Sequence, residues 1–439
     1  MRRLTGPLEV SALILALITL AWGPLAQGSA LPWAMNGLTL LGCLTAALTL
    51  LALAVRGRPL RGVNGPFVLS GLLLLGWIWL SVLWAPYALE AHRWAGIWTA
   101  VIAVALTLHL LADTRARQLT ALVAILLTIA AAVAVALLQV RGISVPGFST
   151  VPGVPERFLT GPYFNPSHFS GFLVPASALL STALLLTRPG LHSLLLLVLL
   201  LAVQYANFRT DGATTPVAIL AALLPLVVWI WTRSRVAGAL LAALTVVGVA
   251  GGIYLLATPS GQTQFERYKQ FVGVSNSVQA FLDGRLQVHR YGVEMARDHG
   301  LRGVGIGQFL YETPRYRAVR LEGDRTVDNR LVNYAHNDTL QMLAETGVPG
   351  ALLFWVLLLS PVLTRRRNLF GYAALAAVPA LAFVGLFDGH LSAIPGTMVF
   401  AFGLLALNRT VPAPAQPEPP QIHLEWPENH DQAGQLASR

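Results

Sequence analysis

The chain has 439 residues, 55% of them hydrophobic and 11% charged, with a mean hydropathy of +0.62 and a formal net charge of +10. Apolar runs of about 20 residues recur along it, which excludes an ordinary soluble domain and predicts an all-α integral membrane protein with many spans. Cys43 is the only cysteine and lies inside an apolar run, which excludes a disulfide framework and a cysteine metal site.

Twelve helices are predicted in chain order. The first, 8–24, follows Met1-Arg2-Arg3 and ends near the small residues Ala26 to Ala30, a layout that resembles a signal peptide; further spans follow at once, so it is read as an uncleaved helix. Then come 34–55, 66–84, 94–111 and 118–140, followed by 168–187, 191–207, 214–232 and 236–257, and finally 336–363, 370–387 and 391–407. They divide the chain into helices one to nine (1–257), a large cap loop (258–335), helices ten to twelve (336–410) and a Pro-rich, disordered tail (411–439).

Almost all the positive charge is arginine, Lys269 being the only lysine. The arginines fall in turns between apolar segments, where the positive-inside bias explains them better than nucleic-acid binding. One set of connectors carries Arg2, Arg3, Arg56, Arg58, Arg61, Arg115, Arg117, Arg188, Arg233, Arg235, Arg365, Arg366, Arg367 and Arg409; the alternate short ones carry only Arg93, Arg141, Arg157 and Arg209. Both termini are therefore expected in the cytoplasm and the cap loop outside it. The cap contains an amphipathic stretch, Asp283 to Arg297, at helical spacing.

The few arginines on the external side break the bias that shapes the rest of the chain. Singly, each is explained by snorkelling to lipid headgroups. As a set, Arg141, Arg157, Arg209, Arg285 and Arg290 face one compartment, and guanidinium forks suit the oxygens of phosphate or diphosphate. Arg209 sits in "NFRTDGATTP" beside Asp211, where a local surface pair is the simpler alternative to ligand binding.

In "ERFLTGPYFNPSHFSGFLVP", Gly161, Pro162, Asn165 and Pro166 predict a turn before the sixth helix, with Asn165 or Ser167 as its cap. "GVGIGQF", Gly303 to Phe309, matches neither nucleotide fingerprint and predicts a tight turn.

"YAHNDTLQMLAETGVPG", Tyr334 to Gly350, places polar residues at the mouth of an apolar helix. Unpaired N–H groups there carry partial positive charge and favour a neutral imidazole, which makes His336 the best general-base candidate. Asn337 and Asp338 are candidates for substrate contact or for N-capping. Asp338, Gln341 and Glu345 share one stripe; for Gln341 and Glu345, hydrogen bonds between helices are preferred to a wet interior. Gly347, Pro349 and Gly350 predict a kink or close packing just below.

Four stretches in this order, "RFLTGPYFNPSHF", "FRTDG", "GRLQVHRYGVEMARDHGLRGVGIGQF" and "HNDTLQMLAETGVPG", resemble the O-antigen ligase family, whose relatives include O-antigen polymerases and protein O-oligosaccharyltransferases. With the twelve-helix plan the likeness covers about residues 8–407. It implies a membrane glycosyltransferase fold of the GT-C-like kind with a large periplasmic helical loop, in the bacterial inner membrane, and a site facing the periplasm. It further implies a glycan donor on undecaprenyl diphosphate, a lipid A–core sugar hydroxyl as the ligase acceptor, and inverting transfer with no cofactor, metal or nucleotide sugar.

Carried over residue by residue, His336 stands at the family's histidine, Arg209 at its helix-end arginine and Arg285 at the arginine opening the cap helix; Arg157 precedes the Gly-Pro turn. Two departures are visible: "NPSH" where relatives often read Asn-Pro-Asn, and His289 where an aromatic is common. The expected roles are diphosphate binding and leaving-group stabilisation by the arginines and proton removal by His336. A polymerase is the alternative within the class. A transporter of lipid-linked glycans is the rival outside it, and would call for basic residues across the bilayer and internal repeats, neither of which is seen.

Overall fold

A computed structural model describes residues 2–143, 159–210, 215–236, 278–316, 332–364 and 368–409, with isolated positions elsewhere. Among the described residues every long element is an α-helix. We number them α1 (Arg2–Leu25), α2 (Pro32–Ala54), α3 (Gly65–Ser81), α4 (Ala88–Leu111), α5 (Arg115–Val140), α6 (Pro166–Leu186), α7 (Leu191–Arg209), α8 (Thr215–Arg233), α9 (Val278–His299), α10 (Phe309–Tyr316), α11 (Asp338–Leu363), α12 (Leu369–Val384) and α13 (Pro395–Ala406).

Eight of these regions, α1 to α7 and α11, are long and apolar enough to cross a membrane, and Val217–Trp231, Leu369–Val384 and Pro395–Ala406 are shorter apolar helices. The ninth expected span, 236–257, and the tail, 411–439, lie outside the described residues apart from isolated positions.

The chain packs around two helices. In α4, 89% of the most apolar window is buried, and in α6, 83%; α7 buries only 17% and is peripheral. α4 packs against α2 and α13, α6 against α8 and α12, and α11 against α3. Phe172, Trp98, Phe354, Phe400 and Phe402 fill the centre, with Phe172 and Phe400 ring centroids 4.6 Å apart. Outward-facing leucines such as Leu40, Leu69, Leu127 and Leu201 stay exposed, as expected where the surrounding medium is as apolar as a core.

The connectors sort to two ends. At one end Glu9 of α1, Arg56 and Arg58 after α2, and Asp113 and Arg117 around the start of α5 form a single ion-pair network. There the Asn64 side chain also donates to the Ser360 carbonyl, and buried Arg409 reaches the carbonyls of His109 and Arg61. At the other end meet the connectors around 26–31, 82–87, 159–165, 300–308, 332–337 and 385–394. Gln308 accepts from the Tyr87 amide at 2.9 Å, and Gln139 holds Thr160 and Gly161.

Several helix ends differ from the expectation: α1 starts at Arg2 rather than 8 and α4 at Ala88 rather than 94, and two further ends bear on the site. The eleventh and twelfth apolar runs were read as 370–387 and 391–407, yet α12 stops at Val384 and α13 starts at Pro395. Residues 385–394 instead form turns, drawn onto the start of α11: the Asp338 amide donates to the Gly385 carbonyl at 2.7 Å and the Asn337 side chain to the Leu386 carbonyl at 3.1 Å. The break between 387 and 391 is expected at Asp388 and His390, but the turns extend three residues further back and four further on than the hydropathy indicates.

Candidate active site

The opening of α11 is built as its sequence predicts. Asn337 is extended and its side-chain oxygen accepts from the Leu340 amide at 2.9 Å, an N-cap worth about 1 kcal/mol. His336 precedes it with φ of +50°, one of three non-glycine residues with positive φ among the described residues. The left-handed region costs a residue with a Cβ roughly 1–2 kcal/mol, so surrounding contacts must hold His336 there.

Asp388, from the turn between α12 and α13, is the first of those contacts. The His336 Nδ1–H donates to Asp388 Oδ1 at 3.0 Å, and the Tyr334 hydroxyl donates to the same oxygen at 2.9 Å. The Gly389 amide is a third donor to Oδ1, at 2.9 Å. Oδ2 faces Arg285 at 3.8 Å and His390 at 3.9 Å. Behind Tyr334, His168 Nε2–H donates to the tyrosine oxygen at 3.0 Å.

The electrostatics follow from this crowding. Burial pushes the Asp388 carboxyl up, but His390, the His336 hydrogen bond and Arg285 outweigh it and hold the group well below the usual carboxylate range. Burial holds His336 below its ordinary value, against the opposing pull of Asp388. Burial, rather than the helix mouth, is thus the leading cause favouring the neutral imidazole. With Nδ1–H committed to Asp388, the other nitrogen, Nε2, carries the lone pair and is the atom left for chemistry.

Asp388, Tyr334, His168 and His390 were not singled out from the sequence. Asp388 and His390 are the only Asp, Glu, Lys or His between 368 and 408, and an isolated carboxylate beside a membrane span is a functional candidate by default. That signal was present in "GLFDGHLSA", but nothing local joins it to His336, 52 residues earlier.

The expected site residues divide. Arg285, on α9, lies in the cluster. Arg290, five residues on, turns away: it is exposed and pairs with Glu294 at 2.7 Å. Arg209 ends α7, half-buried, with its guanidinium 3.3 Å from the Tyr205 hydroxyl and its carbonyl accepting from Leu159. Arg141 is exposed at the end of α5. Among the described residues no hydrogen bond or ion pair joins Arg141, Arg209 or Arg290 to Asp388 or His336. Arg157 lies outside the described residues.

Asn337 and Asp338, expected as substrate contacts or caps, are engaged within the protein. Asp338 Oδ1 accepts from the Leu391 amide at 3.0 Å and from the Ser392 hydroxyl at 2.6 Å, so the pair clamps the Asp388 turn beside His336. Glu345 makes the bond between helices preferred for it, its Oε1 accepting from the Phe309 amide at the start of α10, whereas Gln341 Oε1 accepts from the Ala335 amide in the connector just before its own helix. Asn165 caps α6, accepting from the Ser167 amide at 2.8 Å.

The glycine-rich stretch forms the expected turns. Gly303, with φ of +67°, lies so close to the backbone of Glu345 and Gly347 that a Cβ would meet it at 2.4 Å. The Val304 and Gly305 amides donate to the Ala344 and Glu345 carbonyls, where Gly347 (φ +68°) breaks α11. Val288, Met295, Val304, Phe309, Val332, Ala335 and Ala344 form a small core that seats α9 and α10 on α11.

Among the described residues no group of three or more His, Cys, Asp and Glu is arranged to hold a metal ion. The cluster offers instead a carboxylate-oriented imidazole with one guanidinium alongside. That constellation can remove a proton from a hydroxyl and meet developing negative charge.

Residues 195–355 match the family model described as O-antigen ligase. The span runs from α7 into α11 and includes Arg209, Arg285 and His336, while Asp388 falls beyond it. No curated protein matches the chain.

Proposed function

We propose that this multi-pass membrane protein, which carries the O-antigen ligase segment over residues 195–355, transfers a glycan from undecaprenyl diphosphate to a sugar hydroxyl of lipid A–core. The reaction takes place at the His336 end of the helices, on the periplasmic side of the bacterial inner membrane, with both termini in the cytoplasm. The observation that carries the reading is the His336 Nδ1–Asp388 contact beside Arg285.

Asp388 fixes the tautomer and ring orientation of His336, so that Nε2 takes the proton of the acceptor hydroxyl as its oxygen attacks the anomeric carbon. The bond from that carbon to the diphosphate oxygen breaks with inversion, and the electron pair leaves with the diphosphate. The proton rests on an imidazolium stabilised by Asp388 until solvent takes it. Arg285 neutralises the leaving group, a role the sequence likeness extends to Arg209 and Arg157. Arginine charge suffices for this, so the proposed reaction needs no metal.

The same chemistry serves a polymerase, whose acceptor is another lipid-linked repeat unit, and a protein-directed transferase, whose acceptor is a Ser or Thr hydroxyl. The test is purified protein in detergent with EDTA, given lipid-linked donor and, in turn, lipid A–core, no added acceptor, or a Ser/Thr-rich protein. Product on lipid A–core supports the ligase; elongation of the donor alone supports the polymerase. Product in none of the three removes the transferase reading in favour of a transporter of lipid-linked glycans.

A further inference from the structure

Asp388 restrains the His336 ring, and bonds to the Ala335 and Asp338 amides hold the chain on either side, but neither acts on the peptide carbonyl of residue 336, whose position sets its left-handed backbone. The restraint on that carbonyl comes from the cap. His289 Nε2–H donates to the backbone carbonyl of His336 at 3.1 Å. His289 sits one helical turn after Arg285 on α9, so a single face of that helix touches both members of the pair: Arg285 at the Asp388 carboxylate and His289 at the His336 main chain. On an adjoining stripe α9 is anchored to α11 through Val288 and Met295.

We propose that His289 is a positioning residue: its hydrogen bond to the His336 carbonyl fixes the left-handed backbone that turns Nδ1 to Asp388 and presents Nε2 to the acceptor. The proposal rests on the transfer reading for its catalytic consequence, but its structural content stands apart from it. Because α9 carries both contacts, an anion gripped by Arg285 also bears on the geometry of the base. A loss of the bond lets residue 336 relax toward ordinary φ, which redirects the ring. Misplacement of a reacting group on the order of 1 Å lowers turnover by up to about a hundredfold without removing substrate contacts.

The test compares wild type, His289→Ala and His289→Gln, whose side-chain amide can donate from a similar position. Steady-state transfer gives kcat and donor KM, and nitrogen NMR of 15N-histidine-labelled protein in nanodiscs reports the His336 tautomer. We expect His289→Ala to lower kcat about 10- to 100-fold with KM within about twofold, to scramble the Nδ1–H tautomer of His336, and His289→Gln to restore most of both. Unchanged kcat in His289→Ala, a loss with the His336 tautomer intact, or a glutamine variant no better than alanine would each overturn the proposal. Should wild type transfer nothing to any acceptor, the functional reading fails and the tautomer comparison alone decides whether His289 positions His336.

Discussion

Two charged clusters mark opposite ends of the helices, and they are built on different principles. At one end Glu9 and Asp113 are enclosed by Arg56, Arg58 and Arg117 with contacts of 2.5 to 3.1 Å, so that each carboxylate meets all three guanidinium groups. Burial pushes the Asp113 carboxyl up, but the Arg56 hydrogen bond and the charges of Arg58 and Arg117 bring it below its usual value. At the other end a carboxylate collects a histidine, a tyrosine and a backbone amide on one oxygen, with Arg285 at 3.8 Å from the other, and leaves one histidine nitrogen uncommitted. The first arrangement satisfies charge and ties three connectors together. The second directs a lone pair outward. Saturation marks a structural cluster; an oriented group left unspent marks a chemical one.

That contrast predicts a clean separation of phenotypes. His336→Ala removes the base and should lower kcat on the order of a thousandfold while leaving the melting temperature nearly unchanged, as a thermal shift assay beside the transfer assay would show. Glu9→Ala should do the reverse: three buried or half-buried guanidinium groups lose a partner, stability falls by about 3–5 kcal/mol, and the specific activity of the folded fraction is retained. A Glu9 variant that is stable but inactive would dissolve the distinction.

Asp388→Asn sharpens it further. Burial depresses His336 and Asp388 opposes that depression, so the neutral, proton-accepting imidazole predominates above a value below the ordinary histidine pKa of about 6.5. The pH–rate profile of wild type should therefore rise with pH along an acidic limb and level off below neutrality. Loss of the Asp388 charge removes the raising influence, and the limb moves to still lower pH while the plateau drops by roughly two to four orders of magnitude, because the tautomer is no longer fixed. Arg290→Ala is the smallest expected effect. Its exposed pair with Glu294 is worth at most about 1 kcal/mol, and both transfer rate and stability should match wild type.

What the sequence revealed follows the reach of each signal. Short-range patterns were legible: the Asn337 and Asn165 caps, the turns at Gly303 and Gly305, the break at Gly347 and the Gln341 bond to the Ala335 amide all lie within a few residues of their cause, whereas the partner of Glu345, the Phe309 amide, stands 36 residues away and was not. His336 was legible because its helix mouth is. Asp388 was not, because its meeting with His336 depends on α12 ending early and on Asp338 clamping the following turn, a tertiary event that nothing local to residue 388 signals. The arginine count was legible as an orientation bias, yet it hid that Arg56, Arg58 and Arg117 also belong to an ion-pair network with Glu9, whose carboxylate is buried in α1. Arg290 and Arg285 look alike in sequence; helical phase alone sends one to the cluster and the other to solvent.

The most direct test of the account is a double-mutant cycle on glycan transfer with His336→Ala, Asp388→Asn and the double variant, each normalised to folded protein. If Asp388 acts through His336, the double variant falls no further than His336→Ala alone, since a carboxylate with no imidazole to orient has nothing left to contribute. If the two losses instead multiply, Asp388 acts independently and the pair is not the catalytic unit.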